Sequence, residues 1–337
     1  LTWTANSESD LASYKVYGGT SSSPTTLLST ISSGTETYTN SSLTNGTLYY
    51  YRISAVDNVG NESSKTSDVS SLPHATDGSY SLSFDGSDDY IDLGDVMDPS
   101  GSFTFAGWYY INEKTGNALM EKIYGPDGSG NYYGYSLSVD NDQSGGGDDG
   151  ITFSVNNGRP NPANGQSWKA IYAATFGQWV HLAGVFSSSD SVRLFINGER
   201  KAGTATSLSA VTNTSSSLKF SVGSSSSWTL SGSMDEVAYW NEALTSTEIT
   251  ALYNSGVPLA ANSNSGNYTS SANLKGYWRF AENTGTVAYD ISGSGYHGTI
   301  SGATYSGQGA NGVLPTISSV SLASDNSTIA VTMSEAV

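Results

Sequence analysis

Two adjacent acids, Asp235 and Glu236, interrupt an otherwise apolar run in "SGSMDEVAYW", residues 231–240. Met234, Val237, Ala238, Tyr239 and Trp240 around them predict a buried strand. Carboxylates in such a place could serve acid–base catalysis, could hold a hard cation, or could simply be solvated or bonded to backbone N–H groups. Strict alternation puts Asp235 on the face of Val237 and Tyr239, and Glu236 on the face of Ala238 and Trp240. A glycosidase needs two carboxyls facing one cleft, and acids on opposite faces do not supply that. An inward carboxylate is costly unless it is paired or metal-bound. With 13 Lys+Arg against 30 Asp+Glu, few cations are at hand. Calcium takes carboxylate and carbonyl oxygens, so it is the expected partner of Asp235, with Glu236 beside it. Asp85 in "FDGSDD" and Asp290 in "YDISGSG" are candidate co-ligands in Gly-rich turns, and each reads equally well as an Asx turn. The acid-rich loop "DNDQSGGGDDG" lacks the Gly and Glu spacing of an EF-hand.

A second set of residues suits sugars. A sugar ring lays its C–H face on an aromatic ring while amides, carboxylates and backbone groups bond its hydroxyls. The stretch "YGPDGSGNYYGY" offers Asp127, Tyr132 and Tyr133, with Tyr124 nearby, and "NGQSWKAIYAA" offers Trp168 and Tyr172. Loops at one rim of a sheet protein are usual binding sites. Packing of Trp168 over its own loop is the alternative.

The chain of 337 residues carries a net charge of −17, which repels phosphate backbones and argues against nucleic acid as a partner. It has no cysteine, which excludes thiol and disulfide roles, and three scattered histidines that form no zinc motif. No apolar run is long enough to cross a membrane as a helix, and no leader peptide is recognisable. Only 13% of residues are charged, so the surface is built from Ser, Thr, Gly and Asn, as expected for short strands joined by many turns. We read the chain as part of a secreted or cell-surface protein.

Three segments follow in order. In residues 1–73, "LTWTA", "SYKVYGG" and "GTLYYYRISAVD" read as strands, and the spacing of Leu43, Gly46, Thr47, Tyr49 and Tyr51 resembles the fibronectin type III signature. That resemblance implies a tyrosine hydroxyl bonded back to the main chain, with the first strand of the sandwich missing. Residues 74–312 carry "SFDGSDDYIDLG", "SFTFAGWYYI", "GQWVHLAGVF", "RLFINGE", "SGSMDEVAYWNEALTSTEI" and "LKGYWRFAENTGTVAYDISGSGYHGTISGA". These motifs closely resemble the laminin G-like, pentraxin-related branch of concanavalin A-like sandwiches. The resemblance implies an all-β jelly roll and a structural calcium near the Asp235 strand. The "GYWRFAENTG" unit comes last here, where many relatives carry it first, so its strands are expected to return to the same sandwich. A single helix is expected after Thr245, with Thr245 and Glu248 as a capping box, Leu244 stapled to Ile249 and Gly256 closing the end. Residues 313–337 read as the first strands of an immunoglobulin-like repeat.

The expected function is non-catalytic, calcium-stabilised binding of a polysaccharide or glycoconjugate, or adhesion, at a bacterial surface. One alternative is a structural spacer or self-assembly module, in which neighbouring copies pair through strands. Another is a glycoside hydrolase of the concanavalin A-like superfamily. The sandwich glycosidases alternate their acids along one strand as Glu-x-Asp-x-x-Glu, whereas here the acids are adjacent.

Overall fold

A computed structural model describes the chain except residues 45–46, 72, 74–79, 113–116, 126, 141–149, 161–167, 174, 224–227, 311–316, 323–328 and 334–337. The chain divides into two compact units, Leu1–Thr76 and Asp77–Val337.

The first unit is a four-stranded antiparallel sheet. It comprises β1 (Leu11–Gly19), β2 (Leu27–Ser32), β3 (Tyr49–Asp57) and β4 (Val69–Ser71), in the order β2-β1-β3-β4. The opening "LTWTA" contributes one isolated bridge, Thr2 to Thr37, rather than a strand. Tyr14, Val16, Tyr17 and Tyr51 are its buried apolar side chains. The Tyr49 hydroxyl accepts the Thr44 N–H at 3.2 Å, a bond five residues back along the chain. Glu62 gathers Lys15 Nζ at 2.7 Å, Tyr17 Oη at 2.5 Å and Ser54 Oγ at 2.7 Å. These bonds, led by that from Lys15, hold its carboxyl down at about 2.

The second unit is an all-β sandwich. One sheet contains β5 (Ser81–Asp85), β7 (Phe103–Ile111), β12 (Trp179–Ser187), β13 (Ser191–Ile196), β14 (Glu199–Ala205), β16 (Ser231–Trp240) and β20 (Thr304–Ser306), in the order β14-β13-β12-β7-β16-β5-β20. The other contains β6 (Tyr90–Asp92), β8 (Asn117–Tyr124), β9 (Asn131–Asp140), β10 (Gly150–Pro160), β11 (Trp168–Tyr172), β15 (Lys219–Phe220), β18 (Val287–Ala288) and β19 (Gly298–Ser301), in the order β11-β10-β9-β8-β15-β6-β19-β18. β17 (Leu274–Trp278) also pairs with β16. The "GYWRFAENTG" unit therefore returns to both sheets, through β17 to the first and β19 to the second.

Alternation drives the core. Phe103, Phe105, Tyr109, Leu137, Phe153, Val155, Leu182 and Trp278 are among the side chains that fill the space between the sheets. The outer face of the first sheet is buried as well. Ala106, Ala183, Phe195, Ala238 and Trp240 on it pack with Ile249 and Leu252 of α1 (Ser246–Tyr253) and with Tyr268. The Trp240 indole N–H donates to the Tyr268 hydroxyl at 2.9 Å, and that hydroxyl donates to the Ala261 carbonyl at 2.6 Å. Thr245 and Glu248 form the capping box of α1, but the left-handed cap at its end is Asn254, φ 45°, rather than Gly256. Asn tolerates that conformation, so the helix closes two residues earlier than the glycine indicated. β21 (Ile317–Leu322) and β22 (Ile329–Met333) pair with each other as a hairpin.

Candidate functional site

The acid pair lies where the sheet changes partners. Along one flank, β16 pairs with β5 over Ser231–Met234 and with β17 over Val237–Trp240, leaving Asp235 and Glu236 at the seam. On the other flank the register with β7 slips between Asp235 and Ala238. Glu236 adopts φ 51°. One extra residue is thus inserted as a bulge, and a non-glycine residue carries the left-handed turn. The bulge breaks the alternation expected from sequence, and both acids are buried, Asp235 at 0% and Glu236 at 7% exposure.

Their partners differ from the expected ion. Asp235 Oδ1 accepts the Glu236 N–H at 2.8 Å and Oδ2 accepts the Ala310 N–H at 2.8 Å. Glu236 Oε1 accepts from Arg279 Nε at 2.7 Å, and Oε2 accepts from the Tyr277 hydroxyl. Nearby, the buried Glu282 accepts from the Tyr305 hydroxyl at 3.2 Å. Burial raises the pKa of Asp235 well above the ordinary carboxyl range, with the Glu236 charge adding to it. Burial also raises Glu236, opposed by Arg279, and raises Glu282. The donor set is one of N–H and O–H groups with a guanidinium, so it does not fit a resident calcium. A pair sealed this deeply also has no access to a substrate.

The proposed co-ligands lie elsewhere. Asp290 Oδ1 accepts the Tyr277 and Ser292 N–H groups at 2.9 and 2.8 Å, and Oδ2 accepts that of Tyr296 at 2.9 Å. It acts as an Asx-type organiser of its loop. Asp85 pairs with Ser231, four residues and about 13 Å along β16 from Asp235. Asp85 has different company: a carboxylate oxygen from each of Asp85, Asp88 and Asp89 lies within 4.8 Å of the others. Asp85 and Asp88 are exposed and Asp89 is buried. Asp89 Oδ2 caps the Asp85 N–H at 2.9 Å. Burial raises the Asp89 pKa, and the charges of Asp85 and Asp88 push the same way. Gly302, at φ 77°, leaves the space for this carboxylate, because a Cβ there would stand 1.9 Å from Asp89 Oδ1. Asp85 Oδ1 itself accepts the Ser87 N–H at 2.8 Å, an Asx turn, so the turn sets three carboxylates side by side as hard oxygen donors.

The aromatic candidates divide in the same way. Tyr133 and Tyr124 are directly paired across β9 and β8, with ring centroids 6.3 Å apart and planes at 36°. Both line a cavity of about 280 Å³, closed on its other side by Thr212, Asn213, Thr214 and Ser215. Asn157 of β10 fixes that wall, its Oδ1 accepting from both the N–H and the hydroxyl of Thr212. A bulge at Gly158, φ 73°, lets β10 pass beneath Tyr133, where a Cβ would meet the ring at 3.1 Å. Asp127 is spent on positioning: it accepts from the Ser129 and Asn131 N–H groups at 2.8 and 2.9 Å and from the Tyr133 hydroxyl at 3.1 Å. The bond from Asn131 leads in lowering its pKa. Tyr132, half-buried, pairs with Arg159 at the same rim.

Trp168 is placed opposite Val155, two strands from Tyr135 of β9. Tyr172 is four residues further along β11, opposite Ile151, and stands exposed with Lys201 Nζ 5.6 Å from its ring centroid. The structure therefore gathers Asp127, Tyr132 and Tyr133 with Tyr124, and leaves Tyr172 at the far end of the sheet. The wall at residues 212–215 was not among the expected site residues. A polar "TNTSSS" run carries no signal beyond that of a loop. Residues 141–149 of the acid-rich loop lie outside the described residues.

Comparison with known proteins bears on the fold. The family model described as the concanavalin A-like lectin/glucanases superfamily matches residues 85–250. A candidate carbohydrate binding protein of Bacteroides ovatus is similar in structure at TM-score 0.50 and 19% identity, over 91% of this chain and 81% of that one. A heptameric SAP-like pentraxin of Limulus polyphemus is similar at TM-score 0.38 and 14% identity, over 53% of this chain and 83% of that one. Domain 4 of AbnA, an extracellular arabinanase of Geobacillus stearothermophilus, is similar at TM-score 0.36 and 18% identity, over 62% of this chain and 82% of that one. No curated protein matches the chain. The strand order and the two-sheet core are those of an all-β sandwich, and residues 85–250, just under half of the chain, are what matches the concanavalin A-like lectin/glucanases model.

Proposed function

We propose that the sandwich is a non-catalytic carbohydrate-binding module of a secreted or cell-surface protein. The observation that carries the reading is the groove between the paired rings of Tyr124 and Tyr133 and the hydroxyl- and amide-bearing wall at Thr212–Ser215. Aromatic faces with a few fixed polar groups are what a small polar ligand with apolar C–H faces requires. Tyr124 is 51% exposed, so a ring is already presented to solvent. Asp127 and Gly158 hold Tyr133 in place before any ligand arrives, which lowers the ordering cost of binding. The Bacteroides ovatus protein of similar fold is itself a candidate carbohydrate binder. Against catalysis stands the burial of Asp235 and Glu236.

The experiment is affinity electrophoresis in gels cast with arabinan, galactan, xylan or mucin. The wild-type chain is expected to be retarded by at least one polymer. A Tyr124→Ala/Tyr133→Ala variant is expected to bind about tenfold more weakly or worse, as for loss of an aromatic anchor. Equal mobility of the two proteins in every gel, with a correctly folded variant, defeats the reading.

Calcium belongs to the same proposal, at Asp85, Asp88 and Asp89 rather than at Asp235. The groove lies near Phe103, since Tyr135, two residues after Tyr133, packs on that ring at 4.8 Å. The acid turn lies by Ser231, next to Gly232, which pairs with Ile111 at the other end of β7. The two are about 25 Å apart along β7, so the ion would neutralise and fix the β5–β6 turn rather than touch the sugar. Saturating calcium at about 100 times its Kd stabilises by about 2.7 kcal/mol, a rise of several degrees in melting temperature. That rise is expected for the wild type after EDTA treatment and calcium addition, and is expected to vanish in Asp88→Ala. A melt insensitive to calcium in both proteins removes the metal.

A further inference from the structure

A second groove of about 260 Å³ is lined by Asp98, Tyr239, Asn241, Lys275 and Tyr296, with the segment 97–102 as one wall. Among the described residues no hydrogen bond or ion pair engages the Tyr239 hydroxyl, the Asn241 amide, the Lys275 ammonium or the Tyr296 hydroxyl. Polar ends that converge on one space without using one another are what a recognition site has and a packed surface lacks.

Every wall is held from behind. The Tyr239 ring stacks on Phe103 at 5.8 Å and is 2% exposed. Asn241 is anchored through its N–H to the Asn273 carbonyl at 3.1 Å. The Tyr296 backbone is fixed on both sides, its N–H to Asp290 and its carbonyl to the Trp278 indole at 3.0 Å. The buried Lys122 clamps the third wall, with Nζ 2.6 Å from Asp95, 2.8 Å from the Val96 carbonyl and 3.1 Å from Asp98. Tyr135 adds a bond to the Met97 carbonyl at 2.7 Å. The site is therefore pre-formed.

Its chemistry selects among ligand classes. A phosphate or carboxylate entering beside Lys275 would meet the Asp98 charge, and a cation entering beside Asp98 would meet Lys275. A neutral polyol suits both, because each hydroxyl can donate to the carboxylate and accept from the ammonium or the amide. Tyr296, 37% exposed, offers a ring face at the edge. We infer that this groove is a second saccharide subsite that takes one neutral hexose or pentose unit. The inference rests on the carbohydrate-binding reading and adds a site separate from the Tyr124/Tyr133 groove.

The test uses the full chain and two double variants, Asn241→Ala/Lys275→Ala and Tyr124→Ala/Tyr133→Ala, each first checked for wild-type melting. Binding of arabinan, galactan and xylan is measured by affinity electrophoresis. Shifts of backbone amides at 239–241, 275 and 296 are then followed by NMR during titration with arabinose, galactose, glucose and inorganic phosphate. The Asn241→Ala/Lys275→Ala variant is expected to bind polymer about tenfold more weakly, the loss of one or two good hydrogen bonds, and to abolish the sugar-induced shifts. Phosphate is expected to cause none. Wild-type polymer binding by this variant, while the tyrosine variant loses it, overturns the second subsite and leaves the first standing. Absence of polymer binding by the wild-type chain overturns both. Shifts with phosphate that outcompete the sugars make the groove an anion site and overturn the assignment.

Discussion

Arg279→Ala is expected to cost the sandwich about 3–5 kcal/mol, enough to lower its melting temperature by roughly 10 °C. The guanidinium Nε lies 2.7 Å from Glu236 Oε1, with side-chain exposures of 10% and 4%. Removing it leaves a buried carboxylate at a bulge whose backbone cannot turn the side chain out to water. Asp235, on one side of Glu236, also loses a nearby positive charge. Water cannot replace the guanidinium cheaply at such a depth. The diagnostic comparison is Arg279→Met/Glu236→Gln. Removing both charges while keeping the volume is expected to recover most of the loss, because the penalty belongs to the orphaned acid rather than to the missing contact. Urea unfolding followed by tryptophan fluorescence measures both. If the double variant is as unstable as the single, the cluster is held by packing and its charges are incidental.

The same cluster shows where sequence reasoning stopped. The strand, its apolar flanks and its two acids are plain in "SGSMDEVAYW", as is the capping box that follows, and both are present. Alternation failed at one residue. Glu236 has a left-handed backbone with no glycine to announce it, and a bulge shifts everything after it by one. The partner was missed for a different reason. Arg279 stands 43 residues away, and its meeting with Glu236 depends on β17 pairing beside β16. Long-range pairing leaves no local trace. The scarcity of cations points to calcium for Asp235, yet the backbone N–H groups of Glu236 and Ala310 hold that carboxyl, and one of the few arginines pairs with Glu236 beside it. Asp127 and Tyr133 are visible in the sequence as separate candidates of one Gly-rich stretch, and the turn between them brings the hydroxyl to the carboxylate. Their separation from Tyr172 follows only from the register of β11 on β10.

Acidification from pH 8 to about pH 5 is expected to stabilise the sandwich. Burial raises the pKa of Asp235, Glu236, Glu282 and Asp89 in the folded chain. A carboxyl with a raised folded pKa binds its proton more tightly when folded, so its contribution is fully present below the unfolded value near 4. That contribution is lost as pH rises through the folded value. Each proton taken up on folding is worth about 1.4 kcal/mol per pH unit within that window. Buried His181, pushed down to about 3 by burial, works the other way: below its unfolded value near 6.5 the unfolded chain takes a proton that the folded chain does not, so the rise rests on four carboxyls outweighing one imidazole. Below about pH 4 the slope reverses. The carboxyls of Asp127, Asp190 and Glu248 are held low by hydrogen bonds, and for Glu248 the bonds from Ser270 and Thr245 outweigh the upward push of burial. Their contribution is present above the unfolded value and disappears as they protonate. The first unit supplies an internal contrast. Glu62, held at about 2, is constant between pH 8 and pH 5 and weakens that unit only in stronger acid. Calorimetry across this range should therefore show the sandwich transition moving up on acidification while the other holds still. Glu282→Gln keeps an acceptor for the Tyr305 hydroxyl and removes one titrating proton, so its slope should be flatter than that of the wild type. A sandwich melting temperature that is level or rises from pH 5 to pH 8 would mean that these buried acids bind too few extra protons on folding to outweigh His181, and that the seam is wetter than its packing implies.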